Sequence, residues 1–253
     1  MKLSIIIPAL NEAAGIEVTL QRLQVWRQRA DGAADGAADG AADVAADGAV
    51  NAAPAAEIIV ADGGSTDATR SLAAPLADQV IEAPRGRARQ MNAGAAAASG
   101  AVLLFLHADT ILPEAAPGAI LAALKAGEAL PPRVWGRFDV SISGAPAMLR
   151  MVAWSMNLRS RATGLATGDQ AVFMTRAAFD AAGGFPDQPL MEDIEMSRRL
   201  KRLSPPACLG AKVITSGRRW EQRGVWRTIL LMWCLRLAYF FGASPEYLAA
   251  RYR

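Results

Sequence analysis

The chain has 253 residues, of which 52% are apolar and 20% charged, and its formal net charge is +3 at pH 7. This composition suits one large domain with a buried core and excludes a globally disordered chain. The single histidine, His107, excludes a zinc site built from several histidines. Cys208 and Cys234 lack the spacing of metal ligands, so we expect free thiols in a reducing compartment.

The amino-terminal apolar run, residues 3–7, is too short for a signal peptide, so we expect this end of the chain to stay in the cytosol. The charge is unevenly distributed, because residues 198–253 contain 12 Lys or Arg and only 2 Asp or Glu. Such a basic region indicates either an anionic partner, such as a membrane surface or phosphate, or a solvated basic face.

Short apolar runs that alternate with helical patterns run along the chain. Strands are predicted over 3–7, 57–61, 79–82, 101–106, 135–142 and 171–175. Helices are predicted over 13–29, 114–126, 147–161, 176–182, from about 192, and over 225–241. This alternation predicts an α/β fold whose sheet is mostly parallel, Rossmann-like and flanked by helices.

Two segments depart from this pattern. Residues 31–48 repeat the unit Asp-Gly-Ala-Ala, which cannot build a core, so we expect a flexible insertion. A calcium site is a weaker alternative, because the spacing of the aspartates fits no known calcium loop. Residues 225–241 form an apolar helix interrupted by Arg227 and Arg236, too short to span a bilayer, which indicates an interfacial or packed helix. We therefore divide the chain into a domain at 1–222 and a helical segment at 223–253.

Polar residues follow three of the predicted strands, at the positions where open α/β sheets bind ligands. They are Pro8-Ala9-Leu10-Asn11-Glu12, Asp62-Gly63-Gly64-Ser65-Thr66-Asp67 and His107-Ala108-Asp109. Each segment alone is also compatible with a turn followed by a helix cap. A carboxylate in the position of Asp109 suits a hard cation.

Three further segments carry charge in patterns typical of ligand sites. The arginines between Arg85 and Gly94 suit a diphosphate or form a solvated loop, and the lack of aromatic residues among them argues against nucleic acid. Glu192-Asp193 supplies either helix-capping charges or a general base. Arg218-Arg219-Trp220 precedes the apolar helix, and its alternative is a surface charge pair.

In order and spacing these segments resemble the family 2 glycosyltransferases of the GT-A fold, closest to a small bacterial subgroup, over nearly the whole chain except 31–48. The resemblance implies that Asp193 is the catalytic base and that Asp109 binds Mg²⁺ or Mn²⁺. It implies that Glu12 and Asp62 contact the nucleoside. The residues it places at the donor are Pro8, Asn11, Glu12, Asp62, Gly63, Arg85, Arg89, Asn92, Gly94, Ala108, Asp109, Arg219 and Trp220.

The sequence departs from the family pattern at two positions. His107 stands where the family has the first Asp of its Asp-x-Asp motif, and Gly217 stands where the last motif has Gln or Arg. The first departure bears on whether His107 contacts the metal. The second bears on the role of the segment around Arg219.

The implied reaction is an inverting transfer of sugar from a nucleotide-sugar, with UDP as the expected nucleotide, to an acceptor hydroxyl. Asp193 would remove the proton of that hydroxyl. Two other classes stay open: a sugar-phosphate nucleotidyltransferase and a non-catalytic nucleotide-sugar-binding protein. We expect no nucleic-acid partner. A lipid-linked acceptor, with the protein peripheral on the cytosolic face of the inner membrane, is the hypothesis suggested by the basic, apolar carboxyl-terminal region.

Overall fold

The structure is a computed structural model that describes residues 1–35, 56–125 and 132–252, and it consists of one sheet between helices. The strands are β1 (Leu3–Ala9), β2 (Ala56–Asp62), β3 (Gln79–Glu82), β4 (Val102–Phe105), β5 (Thr110–Ile111), β6 (Trp135–Ser143), β7 (Val172–Thr175) and β8 (Ala207–Ser216). The helices are α1 (Ile16–Asp35), α2 (Thr69–Ala73), α3 (Arg87–Ala97), α4 (Ala116–Lys125), α5 (Met148–Thr163), α6 (Arg176–Ala181), α7 (Glu192–Lys201), α8 (Arg218–Arg223), α9 (Val225–Phe240) and α10 (Pro245–Tyr252).

The sheet has the strand order β3-β2-β1-β4-β7-β6-β8-β5. Strands β3, β2, β1 and β4 are parallel, as predicted. Strand β7 then runs antiparallel to both β4 and β6, and β5 runs antiparallel to β8. The expected α/β fold with flanking helices is confirmed, whereas the sheet is mixed, because the chain enters β7 from the edge at which β4 ends.

Two apolar layers cover the sheet, one on each face. Ile5 and Ile7 of β1 point into a core formed with α1, α4 and α5, whereas Ile6 points into a core formed with α3, α6 and α7. This alternation is the two-residue period of a strand that is buried on both faces. The sheet thereby becomes a rigid base for the loops at its edge.

Several features were not predicted from the sequence, and they include β5, α3 and α8. Helix α1 continues to Asp35, so the first residues of the Asp-Gly-Ala-Ala repeat are helical, and residues 36–48 lie outside the described part of the chain. Strand β8 was missed because much of it is partly exposed and its apolar residues do not alternate cleanly. Helix α10 was also missed.

The carboxyl-terminal helices pack on the start of α7. Leu235 of α9 and Leu248 of α10 are buried against Leu190, Met191 and Ile194. Both cysteines are free, with Cys208 partly buried and Cys234 exposed. Within the described ranges, no helix has both the length and the apolar character required to cross a bilayer. The division of the chain after residue 222 stays a prediction.

Candidate active site

The carboxyl ends of β1, β2 and β4 lie at one edge of the sheet. Strand register pairs Ala9 with Asp62 and Ile6 with Phe105, so the three segments that follow these strands are neighbours. A small cavity of about 20 Å³ opens beside them. Its lining includes Pro8, Arg87, His107, Gly168, Glu192 and Asp193. The fold therefore brings residues from four separate motifs to one place.

Asn11 and Asp62 build the turn on the β2 side of this edge. The Asp62 side chain is buried and accepts hydrogen bonds from the backbone N–H groups of Gly64 (3.1 Å) and Ser65 (3.0 Å). Asn11 has a φ of 55°, a conformation that asparagine tolerates better than most residues, and accepts from the Thr66 N–H at 2.9 Å. The turn is thus fixed from both strands before any ligand binds.

Two carboxylates approach each other beyond β1 and β4. Oε2 of Glu12 is buried and accepts no hydrogen bond from any described residue, and Nη2 of Arg218 lies 3.6 Å away. Burial, and then the charge of Asp109, raise the pKa of Glu12. The start of α1 packs against the same segment, since a Cβ on Gly15 would lie at van der Waals distance, 3.4 Å, from Cβ of Asp109. The hydroxyl of Thr19 donates to the carbonyl of the buried Ala108 at 2.8 Å and anchors the same segment.

His107 faces Asp169, a residue that the sequence analysis did not select. Nδ1 of His107 lies 3.3 Å from Oδ1 of Asp169. Burial, which raises the pKa of Asp169, is outweighed by the hydrogen bond from His107 and the nearby charges of Arg87 and Arg219, which lower it to about 2. Nε2 of His107 is buried against Gly168, where a Cβ would overlap it, and has no hydrogen-bond partner among the described residues.

Arg87, rather than Arg85 or Arg89, reaches the cavity. It lies 3.4 Å from Oε1 of Glu192, whose side chain is only 3% exposed. Burial raises the pKa of Glu192 and the charge of Arg87 opposes that effect. Arg85 is exposed, and Arg89 pairs with Asp187 at 2.7 Å. The sequence could not show which arginine of this segment reaches the cavity, because that depends on how α3 packs.

Asp193 lies in the first turn of α7 and faces the cavity. Its Oδ2 accepts from the backbone N–H of Gly168 at 3.0 Å, and its Oδ1 accepts from Ile194 N–H at 2.7 Å. Two guanidinium groups, Arg159 on α5 and Arg236 on α9, have buried N–H groups without a described hydrogen-bond partner. Burial, and then the charge of Arg236, lower the pKa of Arg159 to about 10, while Asp193 opposes the change. The Asp193 carboxylate therefore lies near two positively charged groups, those of Arg159 and Arg236.

Several predicted donor residues serve the scaffold in this structure. Both ends of the Asn92 amide bond the backbone of Phe185, at 2.8 and 2.9 Å. Gly94 lets α3 pack on β1, because a Cβ would overlap Cγ2 of Ile6. The Gly63 N–H donates to Ala9 at 2.9 Å.

The segment around α8 closes the site from the carboxyl-terminal side. Trp220 packs partly buried against the core that contains α1. The guanidinium of Arg219 stacks on the Tyr252 ring at 4.7 Å. Burial, and then the charges of Arg87 and Arg223, lower the pKa of Arg219. Arg219 therefore lies within electrostatic reach of Arg87 at the cavity.

The residues present suit a divalent cation that arrives with a diphosphate. The described residues contain no group of three or more His, Cys, Asp or Glu placed to hold a metal. Mg²⁺ is commonly held by one or two carboxylates together with substrate phosphates rather than by a protein cage. Asp109 and Glu12, whose charges affect each other, are two such carboxylates, and Oε2 of Glu12 accepts no hydrogen bond from a described residue.

The sequence profile described as Glycosyl transferase family 2 matches residues 4–180, well over half of the chain. The chain therefore belongs to glycosyl transferase family 2. A search among curated proteins finds no significant match.

Solved structures share the fold at low sequence identity. A mannosyltransferase from Pyrobaculum calidifontis, in complex with GDP-Man and Mn²⁺, has a TM-score of 0.59 and 20% identity over 98% of this chain and 68% of its own. S. aureus TarS 1-349 with UDP-GlcNAc has a TM-score of 0.57 and 17% identity over 85% of this chain. Glucosyl-3-phosphoglycerate synthase from Mycobacterium tuberculosis, in complex with Mn²⁺, UDP and glucosyl-3-phosphoglycerate, has a TM-score of 0.52 and 19% identity over 85% of this chain and 70% of its own.

These likenesses establish the GT-A fold. The match spans 58% of the TarS fragment, less than two thirds of that chain.

Proposed function

We propose that the protein is an inverting glycosyltransferase that moves a sugar from a nucleoside-diphosphate donor, with UDP as the expected nucleotide, to an acceptor hydroxyl. The observation that carries the proposal is the convergence of the ends of β1 and β4 with Arg87 and Asp193 around one cavity, while the register places Asp62 of β2 next to Ala9 of β1. Family membership supports it. The complexes of TarS with UDP-GlcNAc and of the Pyrobaculum enzyme with GDP-Man show nucleotide-sugars bound in this fold.

The donor is assigned to the edge formed by β1, β2 and β4. The turn built by Asn11 and Asp62, together with Glu12, is proposed to receive the nucleoside. Arg87 and Arg219 supply positive charge for the diphosphate. Bound Mg²⁺ or Mn²⁺, held by the carboxylate of Asp109, would add positive charge at the departing diphosphate.

Asp193 is the proposed general base. The acceptor hydroxyl attacks the anomeric carbon as its proton passes to the Asp193 carboxylate, and the bond from that carbon to the diphosphate breaks. The electron pair leaves with the diphosphate, near Arg87 and Arg219. A single displacement inverts the anomeric configuration without a covalent enzyme intermediate.

The direct test is a nucleotide-sugar panel measured by thermal shift with and without Mn²⁺, followed by detection of released nucleoside diphosphate. A transferase releases UDP or GDP, slowly without acceptor and faster with one, and forms a product of inverted configuration by NMR. Release of pyrophosphate would instead show nucleotidyl transfer. Binding without any release would show a non-catalytic protein.

Asp109→Ala should abolish the Mn²⁺-dependent part of nucleotide affinity, because the proposed cation loses its protein carboxylate. Titration calorimetry of UDP with and without Mn²⁺ measures the difference. Asp180→Ala, which removes a carboxylate from α6 outside the site, is the matched control. An unchanged Mn²⁺ effect in Asp109→Ala would contradict the assignment.

We further infer that the protein binds an anionic membrane surface through α9 and acts there on an amphiphilic acceptor. Five large apolar side chains at alternating intervals of four and three residues form one exposed stripe, the α9 stripe, and each is at least 60% exposed. They are Trp226, Leu230, Trp233, Leu237 and Phe240. The surrounding region is rich in arginine, and each basic residue near an anionic bilayer contributes about 1 kcal/mol.

Co-sedimentation with phosphatidylglycerol vesicles tests this inference. Binding should weaken with salt and fall in Trp226→Ser/Trp233→Ser. Trp154→Ser, which changes a tryptophan 64% exposed on α5, should not alter it. If the folded protein ignores the vesicles at low salt, or if the stripe instead mediates a dimer seen by light scattering, membrane binding is wrong.

A further inference from the structure

A second and larger cavity lies among α8, α9 and α10. Its volume is about 380 Å³. It is lined by Arg219, Arg223, Arg227, Thr228, Leu231, Met232, Arg251 and Tyr252. Four of these residues are arginines, and no acidic residue from the described part of the chain lines the cavity.

The arginines of this cavity interact with neutral groups. Arg223 donates to the carbonyl of Tyr252 at 3.0 Å, and the Arg219 guanidinium stacks on the ring of the same tyrosine. Arg251 stacks on the Tyr247 ring at 4.3 Å. None of the four arginines forms an ion pair with a described carboxylate, so like charges gather without a counter-ion among the described residues. Such an arrangement favours a bound anion.

Two arginines, Arg219 and Arg236, place the helices that line the cavity within electrostatic reach of the proposed active site. Arg219 lines the cavity. Burial and then the charge of Arg87 lower the pKa of Arg219, whereas the charges of Asp169 and Asp109 oppose this change. On α9, Arg236 follows the lining residue Met232 by four positions, on the same helix face and about 6 Å further along the axis. Arg236 in turn lies close enough to Asp193 for that charge to affect its pKa, which burial lowers.

We propose that the arginine cavity holds a phosphate ester group of the sugar acceptor and thereby directs the acceptor's hydroxyl to Asp193. The proposal rests on the transferase function proposed above and names its acceptor class. A phosphate has several acceptor oxygens that planar guanidinium groups bind well. The volume has room for the phosphate and part of the group that carries it, and Leu231 and Met232 offer apolar contact to that group.

The donor diphosphate is the competing occupant, and the position of the arginines argues against it. The donor is assigned to the carboxyl ends of β1, β2 and β4. Of the four arginines that line the larger cavity, only Arg219 is also assigned to the donor diphosphate. Arg223 lies one turn after Arg219 on α8, Arg227 is on α9 and Arg251 is on α10, and none of the three lines the cavity at the strand ends. These three residues can therefore be changed without altering the proposed donor site.

Binding of glycerol phosphate, a soluble phosphate monoester, is the first measurement. Calorimetry is run in the presence of saturating UDP and Mn²⁺, with glycerol as the uncharged comparison. The triple variant Arg223→Gln/Arg227→Gln/Arg251→Gln should bind glycerol phosphate at least tenfold more weakly than the wild type. The triple variant Arg22→Gln/Arg150→Gln/Arg202→Gln removes the same charge from exposed arginines that do not line the cavity, and should bind like the wild type.

A lipid headgroup carries the same phosphate chemistry, so vesicles form the second arm. Phosphatidic acid vesicles are compared with phosphatidylcholine vesicles, with the cavity variant against its control. Loss of binding to phosphatidic acid in the cavity variant alone identifies a lipid-borne phosphate, whereas an effect on glycerol phosphate alone identifies a soluble one. Equal binding by the cavity variant and the wild type in both arms overturns the proposal.

Nucleotide measurements separate this proposal from the transferase function. The cavity variant should keep its affinity for UDP and its slow hydrolysis of donor without acceptor. If UDP displaces glycerol phosphate and the variant loses UDP affinity, the cavity is part of the donor site and the proposal is wrong. If the wild type binds no nucleotide-sugar while phosphate binding still depends on the cavity, the transferase proposal fails and the anion site alone remains.

Discussion

Two adjacent carboxylates in α7 have different environments although the sequence presents them side by side. Glu192 is buried against Arg87, while Asp193 faces the cavity and accepts from Gly168. Successive residues of a helix point about 100° apart, which is why neighbours separate in this way. The sequence identified the pair, but only the family resemblance singled out Asp193, because the direction of each side chain depends on how α7 packs.

Asp193→Asn should lower turnover by about 10²-fold or more while leaving donor affinity nearly intact, since the amide cannot accept the acceptor's proton. Steady-state kinetics and UDP calorimetry measure the two quantities. Glu195→Gln in the same turn, which removes a carboxylate paired with Arg198 and Arg199, is the control. Wild-type turnover in a folded Asp193→Asn protein would exclude this residue as the base.

At the level of elements, the direction of each strand decided which candidate site residues could be selected from the sequence. Residues at the carboxyl ends of parallel strands were easy to select as candidates, as with Asp62 at the end of β2 and His107 after β4. Asp169 was missed because it precedes β7, and β7 is antiparallel to β4. Where neighbouring strands run in opposite directions, the start of one lies beside the end of the other. Local sequence patterns do not encode that reversal, so Asp169 lacked a recognisable signal.

Helix α3 approaches β1 so closely that only glycine fits at one contact. Gly94→Ala should destabilise the protein by about 1–3 kcal/mol, the usual range for overpacking, because the new Cβ overlaps Ile6. Chemical denaturation measures the loss. Gly118→Ala on α4, where a Cβ would meet nothing within 4 Å, should instead be neutral or stabilising by up to about 1 kcal/mol.

A double variant makes this prediction specific to the contact. Ile6→Ala removes the overlapping methyl group, so Gly94→Ala should cost less in the Ile6→Ala background than in the wild type. Additive losses would show that the close approach of α3 to β1 is not the cause.

At the scale of the whole molecule, one buried carboxylate links β1 and β2 to the loop that precedes β4. Glu57 at the start of β2 accepts from Lys2 (2.8 Å), Ser4 (2.5 Å) and the N–H of Ser99 (2.5 Å). Burial, which raises its pKa, is outweighed by these hydrogen bonds, which lower it to about 2. The sequence did not predict this network, since its members are distant along the chain.

Stability should therefore fall in acid. The folded pKa of Glu57 is depressed from 4.5 to about 2. The contribution of its ionised form to the free energy of unfolding is therefore complete above pH 4.5 and is lost as the pH falls towards 2. Glu57→Gln should reduce the free energy of unfolding at pH 7 by up to about 3 kcal/mol, following 1.36 kcal/mol per pKa unit, with the difference vanishing near pH 2. Urea denaturation across this range measures it. Glu82→Gln, at an exposed ion pair, should change little.

The exposed cysteine of α9 provides a reporter. Cys234 follows Trp233 directly and lies beside the α9 stripe, while Cys208, the other thiol of the chain, is partly buried. In a Cys208→Ser background, a polarity-sensitive fluorophore on Cys234 would be attached at a single position. Its emission would shift to the blue in lipid and its quenching by aqueous iodide would fall, so one labelled sample could follow what covers this helix during turnover.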